Sequence, residues 1–281
     1  MPEGPETARQ YDRLMTHLYY NAGQQYPFLV NVIQIGNRYH DRVNIEDLRS
    51  CLGQRLQHIA FRGKEYFLLF NSAGHDELKV VRAHHMMGGH WVIEKPDLND
   101  PNPVVPANCH FRFDFSWTPN SEVPEMVVYF QNNRFGQFQI MTGYSSFERA
   151  YTNIAPGFLE DERTRMTFEE WNIRWSRLRG NAYLRDILMD QHILCSGIGN
   201  YLFAEIMWAM KLHPDTLIYQ LRPADVSRLF DVVRMVIWRF YGGDNKQIYQ
   251  KALTPTGYPI EVLVRDKRKI YYSPHEQLIQ L

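Results

Sequence analysis

The sequence predicts an α+β protein in which strands fill the N-terminal half and helices fill most of the C-terminal half. Between residues 29 and 141, short runs rich in β-branched and aromatic residues alternate with turn residues, the pattern of a β-sandwich or barrel. After residue 142, apolar residues recur at helical spacing instead. The end of the chain returns to strand-like runs, so a small terminal hairpin is expected.

Length and composition favour a well-packed intracellular protein. The 281 residues are 44% hydrophobic and 22% charged, which predicts two domains or one large domain and excludes a disordered chain. No apolar run reaches the roughly 18 residues of a membrane span, and the N-terminus lacks the basic and apolar stretches of a secretory signal. Three scattered cysteines are too few for a disulfide framework. We therefore expect a soluble protein of a reduced compartment: cytoplasm, nucleoid or nucleus.

The charge balance gives no general sign of nucleic-acid binding. The 31 basic and 31 acidic side chains cancel, so a DNA-binding function would depend on local clusters. Two basic clusters exist, at residues 163–185 and 265–269. On charge alone, a solvated surface is the simpler interpretation of both.

The elements of the N-terminal half follow from the spacing of apolar residues. Tyr11, Leu14 and Leu18 fall on one face of a helix over residues 5–20. Strand-like runs follow at 29–35, 56–61, 65–71, 78–83, 90–94, 110–115, 126–131 and 136–141. Glycine and proline residues near 142–157 then mark a linker.

The elements of the C-terminal half are helices and one hairpin. Helical patterns cover 168–179, 182–191, 200–211 and 223–240. Thr167 followed by Glu170 forms a capping box for the first helix, and Pro223 suits the first turn of the last one. Residues 260–264 and 269–272 flank a basic tip and predict a hairpin.

The N-terminus carries the first chemical signal. If Met1 is removed, Pro2 exposes a secondary amine, and the α-amino pKa of about 7.7–8 leaves part of it unprotonated at neutral pH. Such an amine can attack an aldehyde-like carbon and form an iminium, while the nearby carboxylates Glu3 and Glu6 can move protons. Taken alone, an ordinary processed start explains these residues more simply.

A small-residue turn that leads into a helix is the second signal. In Ser196-Gly-Ile-Gly-Asn200, the two glycines permit a close backbone approach, and the N–H groups of the following helix suit a phosphate. Asn200 would reach outward. A tight turn between packed helices explains the motif equally well.

Together these motifs resemble the Fpg/Nei family, the formamidopyrimidine-DNA glycosylases and endonuclease VIII. The matching motifs are Pro2-Glu-Gly-Pro-Glu6, Leu188-Met-Asp-Gln191, Ser196-Gly-Ile-Gly-Asn200, Glu205 and Leu212-His-Pro214, in this order over essentially the whole chain. The resemblance implies four segments: an N-terminal catalytic β-sandwich domain (1–141), a linker (142–162), a helix–two-turn–helix DNA-binding domain (163–250) and a finger hairpin (251–281).

The resemblance also implies a catalytic set. Pro2 matches the family nucleophile, Glu3 the residue that gives and takes protons, and Glu6 a further carboxylate near the site. Lys64 resembles a hairpin lysine that contacts the phosphate beside the lesion and assists catalysis. Arg268 matches the finger arginine that lies over the lesion's phosphate.

The DNA-binding residues that the resemblance implies are Met87, Asn133, Arg134, Phe135 and Asn200. Met87, with Met86 as the alternative, would fill the gap left by the extruded base, and Phe135 would wedge into the opposite strand. Arg134 and Asn200 would bind phosphates. Asn133 departs from the family pattern, which usually has an arginine there that contacts the orphaned base. This departure argues against a strong preference for cytosine opposite the lesion.

The finger also departs from the family pattern. The four cysteine positions fall on Leu253, Thr256, Ser273 and Glu276, and Leu253 offers no ligand atom for zinc. We therefore expect a zincless finger, with no metal and no cofactor. The short segment 242–249 stands where Fpg-type members carry a long loop over 8-oxoguanine, and this favours an endonuclease VIII-like (Nei-like) member.

The predicted function is a bifunctional DNA glycosylase and AP lyase of base excision repair. The enzyme would flip out and excise oxidised bases through a Schiff base on Pro2, then cleave the strand by β- and δ-elimination. Its partner would be damaged DNA, duplex or single-stranded, and it would act as a monomer away from membranes. Two alternatives stay open: an Fpg-type 8-oxoguanine and formamidopyrimidine glycosylase, and a non-catalytic lesion-binding protein if Met1 is retained.

Overall fold

The computed structural model describes residues 3–35, 45–71, 77–85, 88–97, 104–132 and 136–278. Several predicted site residues lie outside these ranges: Pro2, Met86, Met87, Asn133, Arg134 and Phe135. The chain divides into two compact units. The sheet unit comprises residues 1–2 and 7–151, and the helical unit comprises residues 3–6 and 152–281.

The sheet unit contains strands that agree closely with the predicted runs. In chain order the elements are helix α1 (Gly4–Leu18), β1 (Phe28–Gln34), α2 (Ile45–Arg49), β2 (Arg55–Arg62), β3 (Glu65–Asn71), β4 (Lys79–His84), β5 (Gly89–Glu94), β6 (Cys109–Ser116), β7 (Met126–Asn132), β8 (Gln137–Thr142) and α3 (Tyr144–Asn153). A short 3-10 turn covers Tyr20–Ala22. None of the helices in the described ranges has the length and apolar character needed to cross a membrane.

The strands form one antiparallel sheet that is folded into a sandwich. Its strand order is β5-β7-β6-β1-β2-β3-β4-β8, and β1 and β2 pair through Phe28 and Arg55 alone in the described register. The sheet therefore consists of two four-stranded halves with a weak junction. Phe138 of β8 packs against Phe130 of β7 and Phe111 of β6, with ring centroids 4.3 and 5.0 Å apart. Rings from the two halves thus share one core, and the edge strands β5 and β8 do not pair in the described strand order, as expected for a sandwich rather than a closed barrel.

The segment predicted as a linker begins with a helix. Tyr144, Phe147 and Tyr151 recur at helical spacing in α3, and the Phe147 and Tyr151 rings each lie 5.6 Å from the ring of Phe67 on β3. This aromatic contact stabilises a helix. The sequence did not predict this helix, because the flanking Gly143 indicated a linker. The prediction of an irregular segment from residue 142 to the mid-150s is therefore wrong for Tyr144–Asn153.

The helical unit contains the four predicted helices, the first three shorter than predicted and the last one residue longer. These are α4 (Phe168–Trp175), α5 (Leu184–Met189), α6 (Asn200–Met210) and α7 (Pro223–Tyr241), with a 3-10 turn at Ile218–Gln220. Thr167 caps α4 as predicted, since its hydroxyl accepts the N–H of Glu170 at 3.1 Å. Every residue of α6 from Tyr201 to Met207 is buried, so α6 is the central helix of this unit.

A terminal hairpin packs onto this helical core. Its strands are β9 (Glu261–Arg265) and β10 (Arg268–Tyr272). Asp266 and Lys267 have φ angles of 47° and 63°, which is the backbone of a type I′ turn. Ile270 is 2% exposed and joins the hydrophobic core of the unit. The α+β class and the hairpin are confirmed.

Candidate active site

A carboxylate closes the N-terminus of α6. The Glu3 side chain, in a residue only 2% exposed, accepts hydrogen bonds from the backbone N–H groups of Gly199, Tyr201 and Leu202 at 2.8, 3.0 and 3.1 Å. Free N–H groups and the positive end of the helix dipole favour an ionised carboxylate at this place. The sequence suggested a phosphate for these donors. In the structure they bind an internal anion instead.

Two glycines allow the N-terminal residues to approach this turn. Gly4 donates its N–H to the carbonyl of Gly197 at 2.7 Å. Gly197 has a φ of +93°, and a Cβ built on it would lie 3.2 Å from Cα of Gly4. Gln191 holds the turn from the other side, because its side chain accepts the N–H of Gly197 at 2.8 Å and donates to the carbonyl of Ile198 at 2.9 Å. Residues 3–6 are therefore pinned to the start of α6.

A second carboxylate lies beside the first. Glu6 accepts the hydroxyl of Tyr201 at 2.8 Å and the backbone N–H of Glu3 at 2.9 Å. The ammonium group of Lys246 lies over the rings of Tyr201 and Tyr249, at 4.7 and 4.9 Å from their centroids. Burial, with Tyr271 and Glu3 nearby, raises the pKa of Tyr249, so its hydroxyl stays protonated. Carboxylates, phenols and an ammonium group thus form a set that can transfer protons.

The segment that carries Lys246 is fixed by Glu205. This buried carboxylate accepts the backbone N–H groups of Gln247, Ile248 and Tyr249, all at 3.0 Å. Charge-assisted bonds to backbone donors are among the stronger hydrogen bonds in proteins. The motif residue Glu205 therefore positions the short segment that follows α7, and with it the Lys246 backbone.

Asn200 and Arg268 lie on neighbouring elements of the same unit. Asn200 begins α6, directly after one of the donors to Glu3, and its side-chain amide is 3.5 Å from the carbonyl of Lys269 on β10. Arg268, at the start of β10, is exposed and reaches to 3.6 Å from Sδ of Met189 on α5. The structure thus brings Glu3, Glu6, Asn200 and the hairpin backbone next to Arg268 together around the start of α6.

Ion pairs attach the hairpin to the helices. Asp215 accepts hydrogen bonds from Arg185 at 2.6 Å and from Arg265 of β9 at 2.7 Å. The Arg185 side chain is 8% exposed, and Asp215 compensates its buried charge. Arg265 faces Arg268 in the strand register. The position of Arg268 is therefore linked to the contact between Arg265 and Asp215.

Two of the four finger positions that lack cysteine, Thr256 and Glu276, belong to a polar network beside the C-terminal end of α6. Glu276 accepts a hydrogen bond from Lys211 at 2.7 Å and from the indole of Trp208 at 3.2 Å. Burial alone would raise its pKa, but the bonds from Lys211, Trp208 and the threonines Thr254 and Thr256 outweigh it and lower the pKa of Glu276 to about 2. No cluster of metal-ligating side chains occurs within the described ranges. A polar network thus lies where the family finger would hold its cysteines.

The sheet unit holds Lys64 at a tight turn. Gly63, with φ at 59°, and Lys64 connect β2 to β3, and the Lys64 residue is only 8% exposed. Next to it, Glu65 forms a two-point ion pair with Arg82. These two side chains line a cavity of about 550 Å³ together with His84, Gln137, Phe138 and Gln139. Burial lowers the pKa of His84, and the Lys64 and Arg82 charges act in the same direction against Glu65.

The cysteines take no part in this chemistry. Cys51, Cys109 and Cys195 are free and buried. Burial raises the pKa to about 11 for Cys51 and Cys109 and to about 12 for Cys195. The thiols stay protonated at neutral pH and are poor nucleophiles.

Sequence reasoning missed several residues of this arrangement. Lys246 lies in a polar turn with no periodic pattern, so nothing in the sequence indicated its contact with Tyr201. Asp215 follows the His-Pro motif, and no sequence pattern indicated that it binds Arg185 and Arg265. Tyr201 could have been found, since it lies four residues before the motif residue Glu205 and therefore near it on one helix.

Comparisons with known proteins agree with these features. No family model matches the chain. The chain is 25% identical over 224 residues to a formamidopyrimidine-DNA glycosylase of Streptococcus mutans, covering 77% of this chain and 72% of the relative. It is 29% identical over 210 residues to one of Streptococcus agalactiae, covering 74% and 69%. A crystal structure of the LlFpg protein with a THF-DNA and an inhibitor superposes with a TM-score of 0.77 over 99% of this chain and 100% of that one; at 18% identity this shows a common fold.

Proposed function

We propose that the chain is a member of the Fpg/Nei family and that it excises damaged bases from DNA as a DNA glycosylase of base excision repair. The observation that carries the proposal is the fixed position of Glu3. Its carboxylate is held by three backbone N–H groups at the start of α6, those of Gly199, Tyr201 and Leu202, so the residue that follows Pro2 in the sequence has a fixed side chain. Rigid placement of a nucleophile next to an acid–base group is what covalent catalysis requires.

The proposed chemistry starts with the amine of Pro2 once Met1 is removed. Its nitrogen attacks C1′ of the deoxyribose, and the glycosidic bond breaks with its electron pair going to the departing base. Glu3 takes the proton that the Pro2 nitrogen loses on attack and passes it to the ring oxygen O4′ as the C1′–O4′ bond breaks, which leaves a Schiff base between Pro2 and C1′, while the departed base takes a proton from water. Loss of a proton from C2′ then permits β-elimination of the 3′ phosphate, and a second elimination releases the 5′ phosphate.

The remaining predicted residues would hold the DNA. Lys64, Arg134, Asn200 and Arg268 would bind phosphates, so binding should weaken steeply with salt. Met87 and Phe135 would fill the space of the flipped nucleotide, which offsets the few kcal/mol that flipping costs. We propose damaged duplex DNA as the main partner, a single-stranded lesion as a second substrate, and a monomer as the active form.

The names of the relatives favour the Fpg-type alternative over the Nei-like interpretation of the sequence. The matched curated relatives are formamidopyrimidine-DNA glycosylases, and the structural neighbour is an Fpg protein. We therefore propose oxidised purines, formamidopyrimidines and 8-oxoguanine as the first substrate class. The Nei-like preference predicted from the sequence is the second candidate.

Two features of this chain favour the second candidate. The segment that follows α7 is short and held by Glu205 close to α6, which leaves few residues for a loop over 8-oxoguanine. Asn133 stands where a charged arginine would read the opposite base, and an amide makes fewer and weaker hydrogen bonds than a guanidinium. Both features favour oxidised pyrimidines and hydantoins with little dependence on the opposite base.

Single-turnover excision from one panel of duplexes tests the proposal. The panel contains 8-oxoguanine, a formamidopyrimidine, thymine glycol and a hydantoin, each opposite all four bases. Fpg-type function predicts that a purine lesion opposite cytosine is fastest by about tenfold, or about 1.4 kcal/mol of barrier. Faster removal of thymine glycol or the hydantoin would instead support the Nei-like candidate. Failure to release any base, with a correctly processed N-terminus, would contradict glycosylase function.

A further inference from the structure

A groove on the helical unit is lined by aromatic rings and arginines. It lies between the segment that leads into α4 and one face of α7, and its volume is about 380 Å³. Phe158, Met166 and Phe230 are each less than a tenth exposed and form its apolar floor. Pockets that bind ligands have volumes of roughly 300–1,000 Å³. The groove is therefore large enough to take in a bulky side chain of a partner.

Large aromatic side chains stay exposed on both walls of the groove. Phe168 at the start of α4 is 44% exposed, and Trp238 on α7 is 45% exposed. The Phe168 ring meets the ring of Phe230 edge-on at 5.2 Å, so this wall rests on the floor. Exposed apolar patches of this kind mark interaction sites, and tryptophan is among the residues that contribute most to binding.

Each wall also carries an arginine. Arg165 precedes α4, and Arg234 lies one turn before Trp238 on α7. Arg165 is 3.4 Å from Glu162 and Arg234 is 3.1 Å from Asp231, and the exposed fractions of these four side chains run from 44% to 85%. Ion pairs this exposed contribute little free energy. The carboxylates of a partner can therefore replace these two acidic side chains.

The charge of the groove indicates the chemistry of that partner. Among the described residues, those that line the groove include two arginines but no aspartate or glutamate. The guanidinium of Arg234 lies 5.5 Å from the centroid of the Phe230 ring, at the edge of the floor. Arginine binds carboxylates through two parallel hydrogen bonds and also stacks on aromatic rings. Together the floor and the arginines complement an aromatic side chain that is flanked by carboxylates.

The groove lies on a different side of α7 from the proposed active site. Phe240 of α7 contacts Tyr201 near the start of α6, with ring centroids 5.2 Å apart. Trp238 precedes Phe240 by two residues, which corresponds to roughly 200° around a helix. The cavity lined by Arg268, between α5 and the hairpin, shares none of its described lining residues with the groove. A partner in the groove therefore leaves the start of α6 and the hairpin open to DNA.

We propose that the groove between the start of α4 and α7 binds an acidic peptide segment of a partner protein, anchored by one aromatic side chain. The aromatic ring lies on the floor between Phe168 and Trp238, and carboxylates on either side of it pair with Arg165 and Arg234. Arg165 belongs to the basic cluster at 163–185, which thereby gains a role beyond that of a solvated surface. The inference goes beyond the proposed function, because this site takes no part in base excision.

Fluorescence anisotropy of a labelled peptide tests the inference. The probe has one phenylalanine with two aspartates on each side; one control peptide has serines for the aspartates, and another has alanine for the phenylalanine. Arg234→Glu and Trp238→Ala change the groove, and Arg228→Glu and Met235→Ala are their matched controls. Arg228 is exposed on the same helix, and Met235 is 44% exposed. Neither control residue is among the described residues that line the groove.

We expect Arg234→Glu to weaken binding of the probe at least tenfold, because it reverses the charge that meets the carboxylates. Trp238→Ala should weaken it at least fivefold, since it removes one aromatic wall. Both matched controls should change the Kd by less than twofold, and both control peptides should bind at least tenfold more weakly than the probe. No binding of the probe, equal binding of a control peptide, or equal losses in the matched controls would overturn the inference.

Two other occupants of the groove are distinguished with the same variants. If the groove held single-stranded DNA, Arg234→Glu would weaken binding of a labelled oligonucleotide as much as binding of the probe. If it held a second copy of the chain, the wild type would self-associate in sedimentation velocity and Trp238→Ala would not. Either result would overturn the assignment to an acidic peptide. Excision by Arg234→Glu should stay within twofold of the wild type, and a tenfold loss would contradict a site separate from the chemistry.

A variant on the other wall keeps the inference testable if Arg234→Glu does not fold. Arg165→Glu should weaken binding of the probe at least tenfold, and Arg163→Glu, an exposed arginine of the same segment, should change it by less than twofold. Equal effects of these two variants would contradict the inference. A wild-type protein that binds the probe but excises no base would overturn the proposed function and leave this inference standing.

Discussion

The helical unit binds its carboxylates in two different ways. At the start of α6, backbone N–H groups hold Glu3, and the helix fixes where those donors lie. At the finger hairpin, side chains hold Asp215 and Glu276, and their arginine and lysine partners lose rotamer freedom to do so. Backbone N–H groups carry no net charge and have no rotamer freedom to lose, while the attraction between the side chains of an ion pair is screened by salt. The proposed chemical centre is thus the rigid part, and the proposed phosphate-holding hairpin is the adjustable part.

The largest expected effect comes from changing the rigid part. Glu3→Gln removes the proposed proton donor and turns an NH₂ group towards backbone donors. We expect excision to slow by about 10²–10⁴-fold, the usual contribution of an acid–base group. Glu160→Gln is the matched control, because Glu160 is also buried and accepts a backbone N–H, that of Gly157. Similar rate losses in both variants, measured by single-turnover excision, would contradict a chemical role for Glu3.

Alanine substitutions at two glycines, Gly197 and Gly243, distinguish the effect of backbone strain from the effect of the contact with Gly4. Gly197→Ala adds a Cβ at a φ of +93° and 3.2 Å from Cα of Gly4, whereas Gly243→Ala adds one at +97° with nothing within 4 Å. Strain alone costs about 1–3 kcal/mol, so urea unfolding should show that loss in both variants. Only Gly197→Ala should also lower excision, since it displaces residues 3–6. Equal activity in the two variants would show that this contact does not position the site.

The ion pairs of the hairpin should contribute less. Asp215→Asn leaves the buried Arg185 without its closest carboxylate and frees Arg265. Hydrogen bonds to charged groups contribute about 1.5–3 kcal/mol each, so we expect a loss in unfolding free energy of that order. DNA affinity should also fall several-fold. Asp231→Asn is the control, because its pair with Arg234 is exposed and is expected to contribute about 0–1 kcal/mol. Unchanged DNA affinity in Asp215→Asn would show that the Asp215 ion pairs do not hold Arg268 in its DNA-binding position.

The smallest effect is a pH dependence of the finger. The pKa of Glu276 is about 2 in the folded protein, below its ordinary value of 4.5. Its stabilising effect is therefore complete above its ordinary pKa and is lost as the pH falls through about 2. Unfolding measured between pH 5 and pH 2 should show a shallower loss of stability for Glu276→Gln than for the wild type. If the unfolding free energies of the two proteins fell in parallel with pH, this would contradict the lowered pKa of Glu276.

A chelator provides the control for that experiment. If the polar network replaces a metal, EDTA should leave both the unfolding midpoint and the excision rate unchanged, and elemental analysis should find less than one zinc per chain. One tightly bound zinc per chain would contradict the zincless finger.

The fold could be predicted from the sequence because its elements are local. The strands carry continuous β-branched and aromatic runs, and the helices carry caps such as Thr167 and Pro223 at their starts. The helix α3 was missed because turn residues at its ends were weighted above the aromatic period within it. The aromatic residues of this helix pack against Phe67 on a distant strand, and this contact could not be predicted from the local sequence.

The site could be predicted only as a set of residues. Motif positions named Glu3, Glu6 and Asn200, but the geometry that joins them depends on contacts across nearly two hundred positions, such as Glu3 with Tyr201. The same distance in sequence hid Lys246 and the hairpin anchor at Asp215. Spacing along a chain indicates which residues share a helix face, whereas tertiary packing decides which side chains meet.

Trapping with borohydride tests the central claim most directly. Wild-type protein, with Met1 removed as verified by mass spectrometry, is mixed with abasic DNA and sodium borohydride, which reduces a Schiff base to a stable adduct. We expect one covalent complex per chain joined at Pro2, less of it with Pro2→Gly, and none in protein that retains Met1, because an amide nitrogen cannot form an iminium. Normal strand cleavage and trapping by protein that retains Met1 would contradict the account.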